Sequence, residues 1–127
     1  MTIESFFSPD GILGNKLQHY SYREDQEKMA ALVEKAFEEC VPCVVEAGTG
    51  IGKSFAYLFP AFHLLSKDSD SRVVVATSTS PLQKQLYDKD IPFLIDALGM
   101  SPSVAILLVG QIISASESIG SLKLKLH

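Results

Sequence analysis

Glu46-Ala47-Gly48-Thr49-Gly50-Ile51-Gly52-Lys53-Ser54 is the stretch whose reading decides the fold. Three glycines alternate with other residues, and a lysine and a hydroxyl follow at once. A loop of this kind turns successive backbone N–H groups inward with no side chain in the way, and so cradles the phosphates of a nucleotide. The pattern is x-x-x-x-G-K-[ST], with Ala47 where the first glycine often stands. In that reading Ala47, Gly48, Thr49, Gly50, Ile51 and Gly52 wrap the phosphates of ATP. Lys53 reaches the β- and γ-phosphates, and the Ser54 hydroxyl coordinates Mg²⁺; these two are the candidate catalytic residues.

The flanks supply the context such a loop needs. Cys43-Val44-Val45-Glu46 is a short apolar run suited to a buried strand. Lys53 to about Leu65 reads as a helix whose positive end would face the same anion, with Pro60 expected to kink or end it. Upstream, Met29, Leu32, Val33, Ala36 and Phe37 make one face of a helix over Asp25 to Cys40, closed by Pro42. Downstream, Arg72 to Ala76 predicts a second buried strand, Pro81 the first turn of a third helix, and Ile91 to Leu98 a helix ending at Gly99. Ser103 to Leu108 predicts a third strand. Strands alternating with helices imply an α/β fold, a parallel sheet flanked by helices.

Composition sets the outer bounds. The 127 residues have room for one domain. Hydrophobic residues make up 46% and charged residues 20%, a globular balance. A net charge of −4 gives no general attraction for nucleic acid, so any such site must be local. The N-terminus lacks a basic region followed by an apolar core, and no apolar stretch reaches membrane-spanning length. Cys40 and Cys43 fit a reducing cytoplasm better than a disulfide framework. Their C-x-x-C spacing has no second pair to complete a zinc site, so packing is the preferred reading for both. His63 reads as half-buried or capping. Phe6 and Phe7 faintly suggest a clamp-binding tail, but docking onto the domain is the better reading.

Three further stretches narrow the field. Tyr22-Arg23-Glu24-Asp25-Gln26-Glu27-Lys28-Met29 is similar to the adenine-reading R-x-x-Q-x-x-M segment of superfamily 2 helicases. Thr77-Ser78-Thr79, Leu82-Gln83-Lys84-Gln85-Leu86 and Asp90-Ile91-Pro92 look like the segment after that fold's second strand. With Ser8-Pro9-Asp10-Gly11 and the E-A-G-T-G form of the Walker A loop, the chain from Phe6 to Leu108 resembles the DinG/XPD-type DNA helicases, particularly their bacterial DinG and YoaA branch. The resemblance implies an incomplete P-loop NTPase domain of RecA-like type, in which Arg23 and Gln26 read the adenine edge, Gln26 because an amide donates and accepts at once. It also implies that Thr77 and Thr79 hold the backbone of single-stranded DNA. Capping of the following helix is an equal alternative for the two threonines, and a solvated charge at a helix start is the alternative for Arg23. Glu46 orients the loop or merely ends a strand. No specific protein partner and no membrane are implied.

A helicase of this type hydrolyses ATP at the seam of two RecA-like domains, with an acidic Walker B box on one and an arginine finger on the other. No D-E-x-H or D-E-x-D comes after an apolar strand here, and Asp88, Asp90 and Asp96 sit in helical or turn contexts. The family's iron–sulfur cluster needs four thiolates, and both cysteines lie upstream of its expected place. Residues 1–108 therefore read as the N-terminal part of motor domain 1, with nucleotide binding possible, hydrolysis feeble and sheet edges left bare. Residues 109–127, VGQIISASESIGSLKLKLH, lose all periodicity. The family continues here as G-R-x-N-Y-x-C. Codons allowed for Leu108 to Ala115, read one base earlier, can be GGT CGG TCA AAT TAT CTC TGC, which spells G-R-S-N-Y-L-C. The expectation is an out-of-frame tail that truncates the helicase. A stand-alone nucleotide-binding or interaction module is the alternative, and a small phosphotransferase is disfavoured because the loop is not succeeded by an arginine-rich lid.

Overall fold

The computed structural model describes residues 1–50 and 52–107. Six helices run in the order α1 (Ile3–Phe7), α2 (Ile12–Lys16), α3 (Glu24–Glu39), α4 (Lys53–Lys67), α5 (Ser80–Gln85) and α6 (Ile91–Leu98), with a π-helical turn over Leu86–Asp90 joining the last two. Residues 109–127, together with Leu108 and Ile51, lie outside the described residues, so the expected tail and its junction have no structural account.

Each helix is bounded by identifiable chemistry. Glu24, Asp25 and Glu27 in the first turn of α3 face its positive dipole end. The helix closes before Pro42, because Cys40 takes the left-handed conformation (φ 53°) and lets the Val41 N–H reach the Ala36 carbonyl at 3.1 Å. Thr79 caps α5 by accepting from the Leu82 N–H at 3.4 Å, and Thr77 Oγ1 donates to the Thr79 carbonyl at 3.2 Å. Capping, one of the two readings open for these threonines, is therefore what the Thr79 hydroxyl does in this structure. Gly99, in the left-handed conformation, ends α6 at the expected place.

The core forms where α4 meets α3 and the N-terminal hairpin of α1 and α2. Phe6 stacks on Phe59 with ring centroids 4.4 Å apart, and Phe7 meets Phe59 edge-on at 5.6 Å; all three are fully buried. Phe6 and Phe7 thus dock onto the domain. Pro60 breaks nothing: α4 runs unbroken from Lys53 to Lys67 with Pro60 buried inside it. Ala56 and Phe59 on one side of the proline and Phe62 on the other are all locked in the core, which holds the helix through the missing hydrogen bond. His63 is half-buried, as expected, with Nδ1 2.5 Å from Glu34 Oε1.

Two expectations need correction. No strand forms among the described residues, and the segments expected as strands run as irregular chain. A ladder needs two segments side by side, about 4.8 Å apart. Here each segment leans on a different helix: Cys43 and Val45 face Met29 and Val33 of α3, Val73 to Thr77 face Tyr57 and Ala61 of α4, and the Leu107 carbonyl accepts from Gln83 of α5 at 2.7 Å. The second correction concerns Cys40 and Cys43, which are both exposed rather than packed. One caps a helix in an outward turn, and the other stands on a segment with no sheet to cover it.

Because three rings share one contact, truncating the middle one leaves a void that its neighbours cannot close. Phe59→Ala is expected to lower stability by about 3–5 kcal/mol, measured by urea unfolding. Leu82→Ala, at an exposed position, is expected to stay within about 0.5 kcal/mol.

Candidate functional site

The loop between residues 46 and 52 delivers the chain to the start of α4. Gly50 (φ 81°) and Gly52 (φ 77°) both adopt the left-handed conformation that side chains resist. At Gly52 the constraint is double, because a Cβ there would collide with the Gln26 carboxamide. Gly48, Thr49 and Gly50 are exposed and Ala47 is half-buried, so the loop presents its backbone to solvent. Lys53 is the first residue of α4 and exposed, and Ser54 is half-buried beside it. The N–H groups of this first turn have no intrahelical acceptor. Lysine, hydroxyl and open N–H groups are thus gathered at one helix end, a set suited to a phosphate chain.

Gln26 enters this site from α3. It is 3% exposed, the only buried polar side chain among the described residues. Its Nε2 donates to the Gly52 carbonyl at 3.0 Å, tying α3 to the end of the loop. Arg23, three residues earlier, is exposed at the start of α3 and makes no capping hydrogen bond with its side chain. The two candidate base-reading residues therefore differ: Gln26 is spent on the protein and Arg23 is free in solvent. Glu46 is exposed. Thr77 and Thr79 lie at the start of α5 and belong to a separate segment of the surface.

Two tyrosines at this site carry no signal in the sequence pattern. The Tyr20 hydroxyl donates to the Phe7 carbonyl at 2.6 Å and lies 3.4 Å from Gln26 Oε1. Burial chiefly, with the Glu27 carboxylate adding, pushes its phenol above the ordinary tyrosine range, against a smaller opposing pull from Arg23. Tyr57 sits one turn after Ser54 on α4. Burial raises its phenol, and a hydrogen bond with the Ser54 side chain works the other way. The i, i+3 spacing of Ser54 and Tyr57 could have shown that the two share a helix face. The Tyr20 contact depends on the tertiary course of residues 8–23 and has no local signature.

The raised Tyr57 phenol has a measurable consequence. A folded-state value above the unfolded one means the folded chain holds that proton more tightly. The associated stability is complete below the unfolded value and is lost as pH rises through the folded one. Ultraviolet absorbance titration of the chain should show late-ionising phenol signal, reduced in Tyr57→Phe. An unchanged titration curve in that variant contradicts the burial described.

Comparison with known proteins places this geometry in a family. The DEAD/DEAH box helicase profile matches residues 23–116, which takes in Gln26, the loop and the start of α5. The chain is 43% identical over 101 residues to the ATP-dependent DNA helicase YoaA of Escherichia coli K12, covering 80% of this chain and 15% of that protein. It is 51% identical over 76 residues to the ATP-dependent helicase DinG of Mycobacterium tuberculosis, covering 60% of this chain and 11% of that one. Escherichia coli DinG, described as an ATP-dependent DNA helicase, is 36% identical over 84 residues, or 65% of this chain and 12% of the relative. The chain thus spans between a tenth and a sixth of the length of these relatives. No solved structure matches it. With a family match that takes in about three quarters of its residues and a RecA-like fold implied by that match, the chain belongs to the DEAD/DEAH box helicases.

Proposed function

We propose that this chain is the nucleotide-binding N-terminal part of a DinG/YoaA-like ATP-dependent DNA helicase, a form that binds Mg·ATP and does little with it alone. The observation that carries the reading is the loop of residues 46–54, with left-handed Gly50 and Gly52 feeding Lys53 and Ser54 into the first turn of α4. Walker A chemistry assigns the β/γ-phosphate contact to Lys53 and a Mg²⁺ ligand to Ser54. One hydroxyl suffices on the protein side, because Mg²⁺ keeps its waters and takes further oxygens from the phosphates. Arg23 and Gln26 are the proposed base contacts, and Thr77 and Thr79 the proposed contacts to single-stranded DNA. In a complete domain the segments 43–46, 72–76 and 103–108 would pair as the parallel sheet.

Feeble hydrolysis is a consequence of the residues present. The sequence has no D-E-x-H box after an apolar strand to order the attacking water. Purified chain titrated with Mg·ATP should bind, and Lys53→Ala should weaken binding at least about tenfold, the worth of one charge-assisted contact. Equal affinity in the two proteins removes the nucleotide-binding reading. Single-stranded-DNA-stimulated ATPase would overturn the claim of inactivity. The rival reading, a stand-alone binding module, differs in the origin it gives the residues after Leu108. For residues 109–127 we propose out-of-frame translation. The family match runs to residue 116, inside that stretch, so the gene decides: one base away, its sequence should encode a cysteine-rich stretch and then a D-E-x-H box. A frame lacking both contradicts the proposal.

A further inference from the structure

Of the two proposed base contacts, one is already occupied. Gln26 is 3% exposed, and its Nε2 donates to the Gly52 carbonyl at 3.0 Å. The two residues pack so closely that a Cβ on Gly52 would collide with the same Nε2. Arg23 lies three residues earlier, exposed at the start of α3. Its charge is felt at the Tyr20 phenol, whose oxygen is 3.4 Å from Gln26 Oε1, so guanidinium and amide share one corner of the site. The two groups suit different bases. A carboxamide pairs with adenine, because it donates to N7 and accepts from the N6 amino group. A guanidinium has donors only. They fit the paired O6 and N7 acceptors of guanine and can take nothing from N6.

Building on the nucleotide-binding reading, we propose that the Gly52 carbonyl competes with the base for the Gln26 amide, so that the chain binds adenine and guanine triphosphates about equally. To take adenine, the amide has to leave Gly52 and come to the surface. Adenine then gains two hydrogen bonds from the amide and forfeits the one to Gly52, whose carbonyl is left without its donor. Guanine gains two from Arg23 and leaves Gln26 where it is. The advantage that a free amide would give adenine is thereby offset. The affinity common to both nucleotides comes from the phosphates, through the loop, Lys53 and Ser54.

Equilibrium binding of Mg·ATP and Mg·GTP to the wild type, Gln26→Ala and Arg23→Ala tests this. The two dissociation constants are expected to agree within about threefold in the wild type, less than one ordinary hydrogen bond supplies. Their ratio should hold in Gln26→Ala, because damage to the site affects both nucleotides alike. Arg23→Ala should weaken GTP by about fivefold and ATP by less, since only guanine presents two acceptors to it. A larger wild-type preference for ATP, a ratio that shifts toward GTP in Gln26→Ala, or equal losses in Arg23→Ala overturns the inference while leaving nucleotide binding intact. Absence of Lys53-dependent binding of either nucleotide removes the nucleotide-binding reading as well. Should Gln26→Ala fail to fold, the wild-type ratio and Arg23→Ala, changed only at an exposed position, still decide.

Discussion

The arrangement depends on the parallel register of α3 and α4. Gln26 meets Gly52 at one end of the pair, Glu34 meets His63 in the middle, and Glu38 faces Lys67 at 3.5 Å at the other end. The exposed Glu38–Lys67 pair adds little by itself, but together the three contacts fix how far one helix can slide along the other. Parallel helices linked in sequence force the chain to return along their full length. The 16 residues of α3 rise about 24 Å, and the 13 residues from Cys40 to Gly52 can span at most about 45 Å when extended. That reach covers the return and leaves slack for the glycine loop. Its apolar half, Cys43 to Val45, reads as a strand because the return path runs alongside the apolar face of α3.

The same register brings Gln26 to the loop. Both helices begin at one end of the domain, so a side chain in the first turn of α3 can reach the residue before α4. A buried amide costs about 1–3 kcal/mol when left without partners, and the Gly52 carbonyl relieves Gln26 of that cost at Nε2. The site is thus built from α3 and α4 together, and the link between α2 and α3 is tied to the N-terminal hairpin by the Tyr20 hydroxyl on the Phe7 carbonyl. Phe59 belongs to the site's support as much as to the core.

Much of this was legible in the sequence because it is local. The glycine–lysine–serine order, the apolar periodicity of residues 29–37, and Gly99 as a helix end each concern interactions within a few residues, and the structure places α3, α4 and α6 within two or three residues of expectation. The exceptions are set by tertiary contacts. Pro60 is a helix breaker by local rules, and burial on both sides overrules them. Cys40 and Cys43 look like packing residues by composition, but the nearby chain reversal turns both outward. For Thr77 and Thr79 the sequence allowed a capping function and a binding function alike, and the hydroxyl of Thr79 serves the cap. Tyr20 was invisible because its partner, the Phe7 carbonyl, is 13 residues away at no regular spacing.

The sheet is the instructive difference. Val44 is 98% exposed and Val74 89% exposed, in segments whose composition suits burial on both faces. Alternate residues of the same segments, Val45 and Val73, are half-buried against helices. One side of each segment is therefore only partly covered by its helix, and the other is bare. Helix packing alone can bury only one side of a strand of this kind; the second side and the ladder both require neighbouring strands. Local sequence specifies what each segment is suited to become, whereas the number and order of neighbours are properties of a whole domain. The helices share one core, in which Leu86 and Leu94 join the buried residues of α1, α2, α3 and α4. The phosphate loop is braced at the edge of that core by α3 and α4, through the Gln26–Gly52 hydrogen bond.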